Sequence, residues 1–130
     1  MTTKIIIIED EGPVRQLIRS SLSDQYRVET AADGETAWEL VDGLAGDSLD
    51  AVVLDIGLPD IDGFTLLERL RSDPVLADVP VVVVSGRSRE EDVERAIEAG
   101  ATDFVTKPFD PEELRDRMRR AVGAGSPRPM

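Results

Sequence analysis

Residues 51–64 read AVVLDIGLPDIDGF, from Ala51 to Phe64. Four apolar residues, Ala51, Val52, Val53 and Leu54, run into a single carboxylate, Asp55. The turn-formers Gly57, Pro59, Asp60, Asp62 and Gly63 follow. A short β-rich run closed by a Gly/Pro/Asp cluster reads as a buried strand and its loop. The strand is predicted over Ala51 to Asp55, and a helix from about Gly63 with Phe64, Leu67 and Leu70 facing inward. Asp55 then stands at the carboxyl end of a buried strand, the edge of an open α/β sheet where ligands bind.

The same alternation continues on both sides. Lys4 to Ile8, four consecutive isoleucines after a lysine, reads as a strand, and Pro13 suits the first turn of a helix whose inner face is Val14, Leu17, Ile18 and Leu22. Arg27 to Ala31 is a strand with polar interruptions, followed from about Gly34 by a helix with Ala37, Leu40, Val41 and Leu44 at helical spacing. Val81 to Val84 is an apolar fourth strand. Ser88 with Glu91 three residues on has the form of a capping box, opening a helix with Val93, Ala96 and Ile97 inward and Gly100 at its end. Asp103 to Thr106 is a mixed fifth strand. Asp110, Pro111, Glu112 and Glu113 supply a cap, a first-turn proline and two acids suited to the helix dipole. The last helix turns Leu114, Met118, Ala121 and Val122 inward. Residues 1–122 form one domain, and Gly123 to Met130, without periodicity, reads as a flexible tail or a truncated linker.

Strands alternating with helices imply βαβ units and a parallel sheet. Uninterrupted apolar strands belong in the middle, so the first, third and fourth are central and the second and fifth are edges. The fold class is therefore α/β, a doubly wound five-stranded parallel sheet, flavodoxin-like, in the order 2-1-3-4-5. Its switch point lies between strands one and three, which sets Glu9 and Asp10 beside Asp55.

Composition narrows the chemistry. The 130 residues carry a formal net charge of −12, which argues against direct nucleic-acid binding. Cysteine and histidine are both absent, so there is no disulfide, thiolate, Ser-His-Asp triad, histidine metal site or phosphohistidine within this chain. MTTKIIIIEDE is not a signal peptide, and no apolar run approaches the roughly 20 residues that span a bilayer, so a cytoplasmic protein off the membrane is expected. An EF-hand around Asp60 and Asp62 would put Leu58 and Arg69 at ligand positions, and a nucleophile elbow at Ser85 would need glycine in place of Val83. A haloacid-type phosphatase would want a second aspartate where Gly57 stands.

Acids that follow strands often do no more than cap the next helix. Three of them at one switch point repel one another and raise each other's pKa. Mg²⁺, which favours a few carboxylates with water and phosphate oxygens, resolves that conflict. With Lys107, three carboxylates and one Mg²⁺ sum to no net charge. Lys107 could instead be a solvated surface lysine, Ser85 a turn serine, and Phe104 a plain edge-strand aromatic. In functional use, Asp55 is a nucleophile that accepts a phosphoryl group and Ser85 a hydroxyl donor to it.

Glu9-Asp10, LDIGLPDIDG around Asp55, VVVVSG around Ser85 and FVTKPF around Lys107 together resemble the receiver domain of two-component response regulators, over residues 3–122. The resemblance implies that Asp55 is the phosphoacceptor, and that Glu9, Asp10 and Asp55 hold Mg²⁺ with the backbone carbonyl of Gly57. It implies that Lys107 and Ser85 contact the phosphoryl group, that Phe104 is the switch aromatic, and that the Lys107–Pro108 bond is cis. Glu9 departs from the usual first aspartate, and Gly57 and Arg87 lie where the family varies phosphoryl lifetime. The implied partner is a histidine kinase or histidine phosphotransfer protein. The implied output is the surface of the fourth helix, fifth strand and fifth helix, which meets an output domain or effector or forms a homodimer on phosphorylation. The chain would not be an enzyme beyond its own phosphorylation and dephosphorylation, and is either a stand-alone receiver or a piece of a longer protein. The competing expectations are a receiver-like interaction module working without phosphorylation, and a small phosphohydrolase.

Overall fold

Continuous apolar runs place three strands in the middle of the sheet. In the computed structural model, which describes residues 3–43 and 49–125, the elements are β1 (Lys4–Ile8), α1 (Gly12–Leu22), β2 (Arg27–Ala31), α2 (Gly34–Gly43), β3 (Ala51–Leu54), α3 (Gly63–Ser72), β4 (Val81–Ser85), α4 (Glu90–Glu98), β5 (Asp103–Thr106) and α5 (Pro111–Gly125). All neighbouring strands are parallel, in the order β2-β1-β3-β4-β5. This is the doubly wound sheet expected from the sequence. Leu44 and residues 126–130 lie outside the described residues, and α5 continues through Gly125 into the stretch read as tail.

Side chains alternate across a strand, so each central strand feeds two cores. Ile6, Ile8, Val52, Leu54, Val81 and Val83 meet α2, α3 and α4 through residues such as Val41, Phe64, Leu67 and Ala96. Ile5, Ile7, Val53, Val82 and Val84 meet α1 and α5 through Ile18, Leu22, Leu114 and Met118. Each such side chain, fully buried, contributes about 1.5–3 kcal/mol of hydrophobic stabilisation. At the helix starts, Asp62 accepts a hydrogen bond from the Phe64 N–H (2.9 Å) and Asp110 one from the Glu112 N–H (2.8 Å). Gly100 closes α4 at φ +110°, a conformation that favours glycine.

Three local expectations fail. Leu17 is 43% exposed, because the inner line of α1 runs through Ile18, Ser21 and Leu22. Ile97 is 48% exposed: α4 packs at the β5 edge of the sheet and buries only Ala96. The Ser88–Glu91 capping box does not form. The helix begins at Glu90 with Arg89 at its cap and no side-chain capping bond. Among the described residues, no helix is long and apolar enough to cross a membrane.

Candidate functional site

The sheet continues its hydrogen bonding one residue past the strand ends, and this fixes where the site residues emerge. The N–H groups of Glu9, Asp55 and Lys107 donate to the carbonyls of Ala31, Ile8 and Ser85, each at 3.0 Å. These three residues share strand parity with Ile7, Val53 and Val105, so their side chains leave on the α1/α5 side of the sheet. There they meet. Lys107 Nζ lies 2.8 Å from Glu9 Oε1 and 3.0 Å from Asp55 Oδ2, with Glu11 Oε1 at 3.4 Å on the rim. Glu9 is fully buried, Asp55 is 6% exposed, and the Lys107 side chain retains 16% exposure.

Burial raises the Glu9 carboxyl from 4.5 to about 7, with the charge of Asp55 adding to the rise and Lys107 opposing it. Burial pulls the Lys107 ammonium down, but the close contacts and charges of Glu9 and Asp55 outweigh it and the net shift is upward. The ion pair with Glu9 is short yet lies outside hydrogen-bond geometry, and Glu9 Oε1 has no hydrogen-bond donor among the described residues. One oxygen from each of Glu9, Asp10 and Asp55 lies within 4.8 Å of the others. Three carboxylate oxygens this close, one of them buried with only an ion pair for a partner, make a cluster of hard ligands that could hold a divalent metal ion.

The remaining expected residues take several positions around the carboxyl edge of the sheet. Gly57 is exposed, and its N–H donates to Asp55 Oδ1 at 3.0 Å. Ser85 is buried at the end of β4, where its hydroxyl accepts from the Arg87 N–H at 3.1 Å. Phe104 is half-buried and packs on the opposite face, against the α2/α3/α4 core. The Lys107–Pro108 bond is cis.

Several contacts were not foreseen. Arg15 Nη1 donates to the carbonyls of Glu9 (3.0 Å) and Asp10 (3.4 Å), steadying the β1–α1 turn. Arg95 on α4 sits 4.0 Å from the centre of the Phe64 ring, with Arg87 at 5.5 Å, so both guanidiniums reach from the α4 side to the start of α3. No spacing in the sequence announces that pairing.

Over residues 5–119 the chain matches the family described as the response regulator receiver domain. It is 38% identical over 119 residues to the transcriptional regulatory protein KdpE of Staphylococcus aureus, covering 92% of this chain and 49% of that protein, about half the relative's length. The BeF3-activated DrrB receiver domain superposes with a TM-score of 0.84 at 30% identity, covering 95% of this chain and 99% of that one. The chemotaxis response regulator CheY4 of Vibrio cholerae superposes with a TM-score of 0.83 at 28% identity, covering 93% and 99%.

Proposed function

The chain belongs to the response regulator receiver domain family, and from that membership and the geometry of its site we propose that Asp55 is the phosphoacceptor of a two-component signalling step. The donor is a phosphohistidine on a histidine kinase or histidine phosphotransfer protein, since this chain has no histidine. An Asp55 oxygen bonds to phosphorus and the phosphorus–nitrogen bond breaks. Its electron pair stays on the imidazole, which is then protonated.

Such a transfer needs in-line positioning and charge neutralisation more than covalent help. Lys107 holds Asp55 Oδ2 at 3.0 Å and the Gly57 N–H holds Oδ1 at 3.0 Å, so the nucleophile is oriented before a donor arrives. Mg²⁺ bound by Glu9, Asp10, Asp55 and the Gly57 carbonyl would supply the positive charge that offsets the carboxylates and the phosphoryl oxygens. The acyl phosphate adds about one negative charge and three acceptor oxygens. Lys107 donates to one of these, and the Ser85 hydroxyl turns from the Arg87 N–H to another. Phe104 then rotates towards the space Ser85 leaves, repacking the surface of α4, β5 and α5. Driving that change from mostly off to mostly on takes roughly 5 kcal/mol of differential stabilisation. The repacked surface receives an output domain or effector, or a second copy of the chain, and the step takes place in the cytoplasm.

The observation that carries this proposal is Lys107 Nζ placed between two buried carboxylates whose oxygens lie within 4.8 Å of one another and of an Asp10 oxygen. Incubation with labelled acetyl phosphate and Mg²⁺ tests the acceptor. Wild type takes label stoichiometrically and Asp55→Asn takes none; a labelled Asp55→Asn overturns the assignment. Beryllofluoride with Mg²⁺ tests the switch, which predicts NMR shift changes at Ser85 and Phe104. Unmoved resonances there contradict it.

A further inference from the structure

We propose that Asp60 is a positioning residue for the Asp55 site, acting through the loop that joins Asp55 to α3. The role holds only if Glu9, Asp10 and Asp55 bind Mg²⁺, as proposed above. Asp60 is exposed, yet its side chain reaches out of its own loop. Oδ1 accepts from the Gly34 N–H at 2.9 Å and Oδ2 from the Glu35 N–H at 3.0 Å, the first two residues of α2. Those two hydrogen bonds are the chief cause that holds its carboxyl below the ordinary aspartate value.

Helix α2 already has a cap of its own. Asp33 Oδ1 accepts from the Thr36 N–H at 2.7 Å, and the Asp33 carbonyl accepts from the Ala37 N–H at 3.1 Å. A local cap is enough to start a helix. A carboxylate brought from 25 and 26 residues away ties two segments together as well. A second contact reinforces the tie: the Ile61 side chain lies so close to Gly34 that no Cβ fits there.

The rest of the loop is fixed by other means. Ile56 and Leu58 are buried in the core, the Gly63 N–H donates to the Ile56 carbonyl at 3.1 Å, and Asp62 caps α3. Gly57 is exposed between Ile56 and Leu58. It holds Asp55 Oδ1 through its N–H and, in the proposed site, offers its carbonyl to the metal. Asp60 thus anchors the outer half of the turn whose inner half presents Asp55 and Gly57. A release at α2 is felt as a change in the angle between that carbonyl and that carboxylate.

The test is a Mg²⁺ titration by amide NMR of wild type, Asp60→Ala, Asp60→Asn and Asp33→Ala, with unfolding stability measured on each. Asp60→Ala weakens Mg²⁺ binding about 3- to 10-fold, below the order of 10- to 100-fold that follows loss of a group touching a metal ligand directly. Asp60→Asn keeps one acceptor oxygen and falls between wild type and alanine, so it also decides the matter if the alanine variant does not fold. Asp33→Ala lowers stability but leaves Mg²⁺ affinity within about twofold of wild type, because its cap does not touch the loop. The Gly34 and Glu35 amides shift on Mg²⁺ addition in wild type and lose that response in Asp60→Ala. Wild-type affinity in Asp60→Ala overturns the role alone. So does an equal loss in Asp33→Ala, which would reduce the effect to helix stability. A wild type that does not bind Mg²⁺ overturns the site and the role together.

Discussion

Replacing Glu9 with glutamine removes a charge that the metal-free fold holds unfavourably. Burial raises this carboxyl from 4.5 to about 7. Because the folded value lies above the unfolded one, its contribution to stability is full below about pH 4.5 and is lost as pH rises through about 7. At 1.36 kcal/mol per pKa unit the full loss is about 3 kcal/mol. Glu9 is covered, but relaxation of the site and water entering past the partly open Lys107 soften that burial cost and reduce the figure to about 1–2 kcal/mol. Urea unfolding in chelator at pH values from about 5 to 8 reads this directly. Wild type declines over that window while Glu9→Gln stays flatter, and by about pH 8 the variant is the more stable by about 1–2 kcal/mol. Adding Mg²⁺ reverses the wild-type decline and leaves the variant nearly unchanged. Parallel profiles for the two proteins would refute the reasoning.

Lys107→Ala strips from Glu9 and Asp55 the only cation paired with them among the described residues, and lowers metal-free stability near pH 8 by about 2 kcal/mol, less than the full cost of breaking a fully buried pair. The deficit shrinks towards about pH 5, where Glu9 is protonated, and a pH-independent deficit in the same unfolding series contradicts the pairing. Arg71 donates to the carbonyls of Gly100, Leu76, Ala77 and Val79, at distances from 2.6 to 3.4 Å. Arg71→Lys cannot reproduce that fork and costs about 2 kcal/mol of unfolding free energy, whereas a change under about 0.5 kcal/mol shows the contacts to be incidental. Asp62→Ala removes the cap of α3 and lowers stability by about 1 kcal/mol, which thermal unfolding detects as a fall of roughly 3–6 °C.

The parts of the fold legible in the sequence were those where one physical signal dominates. Ile5 to Ile8, Val52 to Leu54 and Val81 to Val84 are apolar without interruption, and only a strand covered on both faces uses such runs. From that order alone Glu9, Asp10 and Asp55 fall at one switch point, and the structure brings their oxygens within 4.8 Å of one another, with Lys107 against Glu9 and Asp55. Helix faces were less legible. Leu17 and Ile97 fit an apolar period, but whether a marginal position is covered depends on how far the sheet extends beneath it. Ser88 and Glu91 have the right spacing for a capping box, yet the turn after β4 runs on to Arg89 before the helix starts. Asp60 reads as one more turn-former in LPDIDG, and its bonds to Gly34 and Glu35 come from the crossing of two loops distant in sequence.

The placement of the phosphoryl group on Asp55 is tested most directly by trapping it. After reaction with acetyl phosphate and Mg²⁺, borohydride reduces an acyl phosphate to the corresponding alcohol, and peptide mapping then locates the modified residue. Homoserine at position 55, dependent on Mg²⁺ and confined to that position, is the predicted result. Modification at Glu9 or Asp10, or none at any residue of a chain that still folds and binds Mg²⁺, would contradict it.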